Sequence, residues 1–329
     1  MKQDAGLNAR LDSIVAVIPT AGRVDRLLAT VCSVLAQNFL PNRIVIVDGS
    51  DSLLELGDLT NLAERSGVSL TLENAVRRGA GAQRNQGVAA AGGDFIWFLD
   101  DDVDLEPGCL EAMWSAMEAD DNLGGCNAAI TNQNYHPPGR GMRSLLALLG
   151  CPPTGSLAGK CCGPALNFLT TLEQDDFPRR TDWLNTTCTL YRRAALPSPP
   201  FLAFFQGYSL MEDLSLSLEV GKRWKLANCP GARIFHDSQP ADYKSQPVRR
   251  QAMEMANRWF VLVKIMDHGG PLSLLRLMGY QGIGLLGLLI TPRKWMEIPG
   301  WSAGTLAGLI RIVRGGPTWQ GYPRLIEEK

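Results

Sequence analysis

Residues 95–102 read Phe-Ile-Trp-Phe-Leu-Asp-Asp-Asp, five apolar residues that stop at three acidic ones. A short run that is apolar at every position predicts a strand covered on both faces, because a half-exposed strand would alternate. Its carboxyl end therefore carries charge at the rim of a dry sheet. Along an extended chain alternate side chains point the same way, so Asp100 and Asp102 converge while Asp101 points elsewhere. Two converging carboxylates repel. A divalent cation relieves the repulsion, and hard Mg²⁺ or Mn²⁺ prefers oxygen ligands of this kind. The other reading is a solvated acidic turn before the next helix, with Asp104 and Glu106 as first-turn charges.

The same pattern recurs upstream. Ser13–Ile18 (SIVAVI) runs into Pro19-Thr20-Ala21-Gly22-Arg23, and Arg43–Val47 (RIVIV) is closed by Asp48-Gly49-Ser50. Val68–Leu72 alternates as a further strand. Between these runs, Val24–Gln37 places Leu27, Leu28, Val31 and Leu35 at helical spacing, and Ala80–Ala91 predicts a small, tightly packed helix. Pro107 predicts a helix start that runs through Met117. Strands separated by helices predict an α/β fold, a mainly parallel sheet flanked by helices. Ligands of such sheets lie beyond the carboxyl ends of the strands, where the polar clusters after Ile18, Val47 and Leu99 all fall. No G-x-x-x-x-G-K-[ST] element is present, and no G-x-G-x-x-G follows the first strand. Both absences weigh against a P-loop NTPase and an NAD-dependent enzyme.

Further along, Asn132–Pro178 is rich in Gly and Pro and reads as a long excursion near the site. Thr187–Tyr191 resembles a strand, Leu210–Lys222 a helix, and Lys225–Asn228 and Ala232–Phe235 two short strands. Glu212-Asp213 opens the helix, either as a cap or as a general base that takes a proton from an attacking hydroxyl. His236 ends a short apolar run, either as a structural histidine or as a metal or phosphate ligand. Gly79-Ala80-Gly81 permits close backbone approach, and Arg84 supplies a bidentate donor for an anion.

The chain has 329 residues, 45% hydrophobic and 20% charged. That length exceeds the usual single-core limit of ~250–300 residues, so a large domain with an appendage is expected. The formal charge of −1 excludes a strongly basic nucleic-acid binder, yet it hides an asymmetry: residues 258–329 carry +5 and the rest −6. We expect a catalytic domain over 1–250 and a helical, basic and apolar region over 251–329. Leu277–Pro292 and Ile298–Ile310 are uncharged stretches bracketed by cations, with Trp295, Trp301 and Trp319 beside them. Such segments suit an interfacial position on an anionic membrane surface better than a spanning one; the other reading is that they pack on the catalytic domain or form a dimer interface. Met1–Ser13 has no signal-like apolar run, so the expected location is the cytoplasm, peripheral on the inner face of the cell membrane. The eight cysteines include no C-x-x-C pair, which argues against zinc, and Cys161-Cys162 reads as a loop feature.

In order, VAVIPTAGR, IVIVDGSDS, GAGAQRNQGVAAAGGDFIWFLDDDV, WLNTTCTLYRR and MEDLSLSLEVGKRWKLANCPGARIFH resemble a family 2 glycosyltransferase of the GT-A fold. The resemblance covers roughly Ser13 to His236. It implies an inverting, metal-dependent transfer from a nucleotide-diphosphate sugar, with a glycan or lipid-linked acceptor and Mg²⁺ or Mn²⁺ as cofactor. It further implies that Pro19, Thr20, Arg23, Asp48, Arg84, Asn85, Asp100, Asp101 and Trp183 line the donor site. Asp100, Asp102 and His236 would hold the metal, and Asp213 would be the base, supported by Glu212. Two other readings compete: a sugar-nucleotide-forming nucleotidyltransferase, which would want a Gly-rich Arg/Lys loop after the first strand, and a catalytically silent scaffold subunit.

Overall fold

The computed structural model describes residues 14–51, 54–172, 176–205, 209–238 and 246–315. Trp319 lies outside them. The first half alternates β1 (Ile14–Thr20), α1 (Val24–Leu35), β2 (Arg43–Asp48), α2 (Asp58–Arg65), β3 (Ser69–Asn74), α3 (Ala80–Ala90) and β4 (Phe95–Leu99). There follow β5 (Val103–Leu105), α4 (Cys109–Ala119), β6 (Leu123–Ile130), α5 (Arg140–Leu148), β7 (Cys161–Cys162), β8 (Leu166–Asn167), β9 (Arg179–Arg180) and β10 (Cys188–Arg192). The chain then forms α6 (Glu212–Gly221), β11 (Lys225–His236), α7 (Pro247–Phe260), α8 (Pro271–Leu289) and α9 (Ile298–Gly315).

Among the described residues nine strands form one sheet, in the order β3-β2-β1-β4-β10-β6-β11-β5, with β9 beside β11. The first four strands are parallel, as the βαβ pattern requires. Beyond β4 the sheet is mixed, because β10 runs antiparallel to both β4 and β6. That reversal matters for the site: Cys188, the first residue of β10, pairs with Leu99, the last of β4. The chain entering β10, including Trp183, thus arrives at the carboxyl edge where β1, β2 and β4 end.

The all-apolar runs are explained by burial on two faces. Ile14, Ala16, Ile18, Trp97 and Leu99 pack on α1 and α4, while Val15, Val17, Ile96 and Phe98 pack on the other side with Tyr191 and Phe201. Helix α3 is rich in Ala and Gly because it lies against the strands: a Cβ on Gly87 would stand 2.4 Å from Val17 Cγ1. The helix expected from Pro107 begins at Cys109 instead. Residues 103–105 first pair with β11, and a left-handed Gly108 (φ 81°) precedes the helix, which leaves Pro107 in the turn. The two short strands expected over 225–235 are one strand, β11, interrupted by an irregularity between Cys229 and Arg233.

The excursion after β6 is more regular than its composition implies. It holds α5 and the β7–β8 hairpin around a small core of Tyr135, Leu146, Cys151, Leu157 and Leu166. Cys161 and Cys162 form a hairpin strand, not a loop.

The last helices dock on the body. Helix α7 spans the expected boundary at 250/251, and its Ala256 and Phe260 pack with Trp183, Phe204 and Phe205. Helix α9 lies on α7 through Gly304 and Gly308, whose added Cβ atoms would meet Val248 O at 2.7 Å and Met255 Cβ at 2.8 Å. The uncharged stretch from Leu277 lengthens backwards into α8, a helix of 19 residues with mean hydropathy 1.4. The helix runs through Arg276 and begins at Pro271, since one charge does not end a helix. By length and composition alone α8 could cross a membrane.

Candidate active site

Three loops of the carboxyl edge are tied together before any ligand is considered. Gly22 N donates to Ser50 Oγ at 2.7 Å, and Ser50 Oγ donates to Asp48 Oδ1 at 2.5 Å. The buried Gln83 side chain donates from Nε2 to Thr20 O and Val47 O, each at 2.8 Å, which holds the ends of β1 and β2 against α3. Sequence reading passed over Gln83. Its signal was a long amide among small residues, at a helix start facing two strand ends.

The acidic triplet lies in the turn after β4, where Asp100 and Asp102 converge as expected. Asp101 is 0% exposed and faces inward, accepting from Thr20 Oγ1 at 2.6 Å and pairing with Arg23 Nη2 at 2.6 Å. Burial pushes its carboxyl up to about 6 against the pull of Arg23 and Thr20. Held by Thr20 and Arg23, this inward carboxylate braces the loop after β1. Asp102 pairs with Arg23 Nη1 at 3.0 Å and with His236 Nε2 at 3.2 Å. His236 arrives because the last residue of β11 pairs with Val103. Gln133 Nε2 lies 3.3 Å from its Nδ1, a contact that no sequence signal announced.

Asp100, Asp102 and His236 each present a ligand atom, all within 4.8 Å of one another. Two carboxylates and one imidazole at this spacing fit a divalent cation such as Mn²⁺ or Mg²⁺.

Behind them Arg84 is buried, 4% exposed, and bridges two carboxylates. Its Nη2 meets Asp100 Oδ1 at 2.6 Å, and its Nη1 meets Glu212 Oε1 at 2.5 Å. Both terminal nitrogens carry ion pairs, and Nε has no hydrogen-bond partner among the described residues. Asn85 ties α3 to the 201 segment: its Nδ2 donates to Phe201 O at 2.7 Å and its Oδ1 accepts from Phe201 N at 2.9 Å. Pro19 is paired with Val47 inside the sheet, and Trp183 donates its Nε1 to Phe168 O at 2.8 Å from within an aromatic cluster. Thr20 and Asp48 are buried at the ends of β1 and β2, and Arg23 is exposed in the loop after β1.

Glu212 and Asp213 open α6 after two strained residues, Ser209 (φ 55°) and Met211 (φ 72°). Left-handed backbone is costly for such side chains, and the packing of Met211 with Phe204, Phe205 and Phe260 holds it. Gly81 admits the acid: its Cβ would stand 2.4 Å from Glu212 Oε2. Burial pushes the Glu212 carboxyl up to about 7, opposed by Arg84 and reinforced by Asp213. Asp213 is half-buried, and desolvation raises it to about 6 while its backbone contacts and Arg84 pull down. Ser217 Oγ ties the start of this helix to the Trp183 segment, donating to Asp213 O at 2.7 Å and accepting from Leu184 N at 2.9 Å.

Residues 15–196, more than half of the chain, match the family described as Glycosyl transferase family 2. The match stops before Glu212, Asp213 and His236. No curated protein sequence matches the chain. Among solved structures, GalNAc-T7 with UDP, GalNAc and Mn²⁺ is 15% identical, over 80% of this chain and 53% of that one, with a TM-score of 0.51. The mannosyltransferase PcManGT from Pyrobaculum calidifontis, in complex with GDP-Man and Mn²⁺, is 14% identical over 92% of this chain and 76% of that one, TM-score 0.49. Glucosyl-3-phosphoglycerate synthase from Mycobacterium tuberculosis, in complex with phosphoglyceric acid, is 20% identical over 77% and 83%, TM-score 0.47. At such identities a likeness concerns the fold. With the family match over the parallel half and the helix-flanked sheet, the chain belongs to glycosyl transferase family 2 and is a glycosyltransferase of the GT-A fold.

Proposed function

We propose that the protein is an inverting glycosyltransferase that moves a sugar from a nucleotide-diphosphate donor to a hydroxyl of a lipid-linked or polysaccharide acceptor. The observation that carries this reading is the convergence of Asp100, Asp102 and His236 at the rim, with Asp213 within electrostatic reach of Asp100 and Arg84. Those three residues would hold Mg²⁺ or Mn²⁺, which neutralises the negative charge of a departing diphosphate. Thr20, Arg23 and Asp48 would line the nucleotide pocket. Arg84 holds Asp100 and Glu212 in place, and Arg23 does the same for Asp101 and Asp102. Asp213 takes the proton of the acceptor hydroxyl while the bond from the anomeric carbon to the phosphate oxygen breaks and the bond to the acceptor oxygen forms. One base on the face opposite the leaving group inverts that carbon.

The exposed leucines of α8, the Trp295 beside it and the basic last helices support a peripheral position on an anionic membrane. Asp213→Asn tests the chemistry. Diphosphate release from a nucleotide-sugar panel should fall roughly 10²–10⁴-fold while nucleotide binding persists. Retained turnover would sink the base assignment.

A further inference from the structure

We propose that the cavity at the start of α5 holds the phosphate of a membrane-anchored acceptor. This deepens the proposed glycosyl transfer and rests on that reading. The excursion after β6 encloses an open cavity of ≈ 520 Å³ lined by Tyr135, Arg140, Arg143, Thr154, Ser156 and Thr171, with prolines between them. Two guanidiniums, three aliphatic hydroxyls and a phenol are donors suited to a phosphate, which accepts through several oxygens. Arg143 also shapes the wall: its Nε donates to Pro153 O at 3.2 Å and its Nη2 to Gly155 O at 2.6 Å. Among the described residues, neither arginine is ion-paired with a carboxylate.

The chain links the cavity to the reacting edge on one side and, along α5, to an apolar surface on the other. Tyr135 is two residues beyond Gln133, whose amide meets His236, so their Cα atoms are at most about 7 Å apart. In the other direction, Arg140, Ser144 and Leu148 form one i, i+4 row of α5 that leads from the cavity to Leu148, which is 78% exposed. The next residue, Leu149, packs on Gly279 of α8, where an added Cβ would lie 2.9 Å from Leu149 Cδ2. Gly279 shares a helical face with Leu272, Leu275, Leu286 and Leu289, all exposed. A basic, hydroxyl-lined cavity separated by the length of α5, about 12 Å, from a leucine stripe matches an amphiphile with a phosphate head and an apolar tail.

The test uses full-length protein and phosphatidylcholine vesicles doped with phosphatidic acid, a lipid phosphomonoester, with sedimentation as the readout. Wild type should bind, Arg140→Lys should keep binding, and Arg140→Glu should weaken it roughly 30-fold, since two charge units of about 1 kcal/mol each are lost. Leu148→Asp should also reduce binding. Equal losses on phosphatidylserine vesicles of matched charge would mean that Arg140 senses surface charge alone, and would overturn the cavity assignment. Full displacement by soluble glycerol 3-phosphate at matched phosphate concentration would overturn the lipid assignment. A nucleoside diphosphate with Mn²⁺ should raise the Tm of wild type and Arg140→Glu alike. Wild type that takes the nucleotide but not the vesicles overturns this inference; wild type that takes the vesicles but ignores the nucleotide overturns the glycosyl-transfer reading.

Discussion

Asp213 and Glu212 are neighbours with different surroundings, and the difference sets what each can do. Asp213 is half-buried at the rim, whereas Glu212 is buried against Arg84. A base raised to about 6 is ionised at neutral pH yet basic enough to accept a proton. The expected kcat/KM profile is flat above pH ~7 and falls about tenfold per unit below pH ~6. An acid limb that persists unchanged in Asp213→Glu or Asp213→Asn residual activity would assign it to another group. Arg84→Lys should lower kcat more than donor affinity, because an ammonium cannot span Asp100 and Glu212 as the planar fork does. Steady-state kinetics at saturating donor separates the two. The convergence of Asp100 and Asp102 was legible from their spacing at the end of an apolar run. The engagement of Arg84 was not legible, because Glu212 lies 128 positions away along the chain.

Helix α3 shows how an element can be chosen for what it leaves room for. Gly81 gives space to Glu212 and Gly87 to Val17, while Gln83 and Asn85 reach from the same helix to the strand ends and to Phe201. Gly81→Ala should fold, cost about 1–3 kcal/mol and depress turnover, since the Cβ displaces a buried carboxylate. Thermal unfolding and kcat measured together check this. Unchanged turnover would show that Glu212 tolerates a shift. Helix α6 makes a related point: two left-handed residues precede it, and the aromatic cluster shared with α7 stabilises them. The glycosyltransferase body and the last helices are therefore joined where Phe260 stacks on Phe204, with ring centroids 3.7 Å apart.

At the scale of the molecule, the rim gathers Asp100, Asp102, Glu212 and Asp213 around two arginines, Arg23 and Arg84. Glu212 and Asp213 have raised folded-state values, so their contribution to stability is present below the ordinary carboxylate range and lost as pH rises through about 6 to 7. Metal-free protein should accordingly lose Tm as pH rises from ~4, the ordinary carboxylate value, to about 7. Mn²⁺ at about 100-fold over its Kd should restore stability by roughly 2.7 kcal/mol at neutral pH, and Asp102→Asn should abolish that gain. A Tm that ignores Mn²⁺ in differential scanning fluorimetry would remove the metal from the reading. Chelation should likewise end glycosyl transfer.

The sequence by itself determined the parallel half of the sheet, the functional edge and the acidic triplet at that edge. These follow from periods of two and of 3.6 residues and from the end of an apolar run, all local properties of the chain. Tertiary structure decided the antiparallel entry of β10, the inward brace of Asp101, the bridging of Asp100 to Glu212 by Arg84, and the joining of α7 to the catalytic core. It also decided the cavity beside α5, which no periodicity marks. Each of these depends on contacts between residues far apart in the chain, where burial selects partners that spacing cannot name.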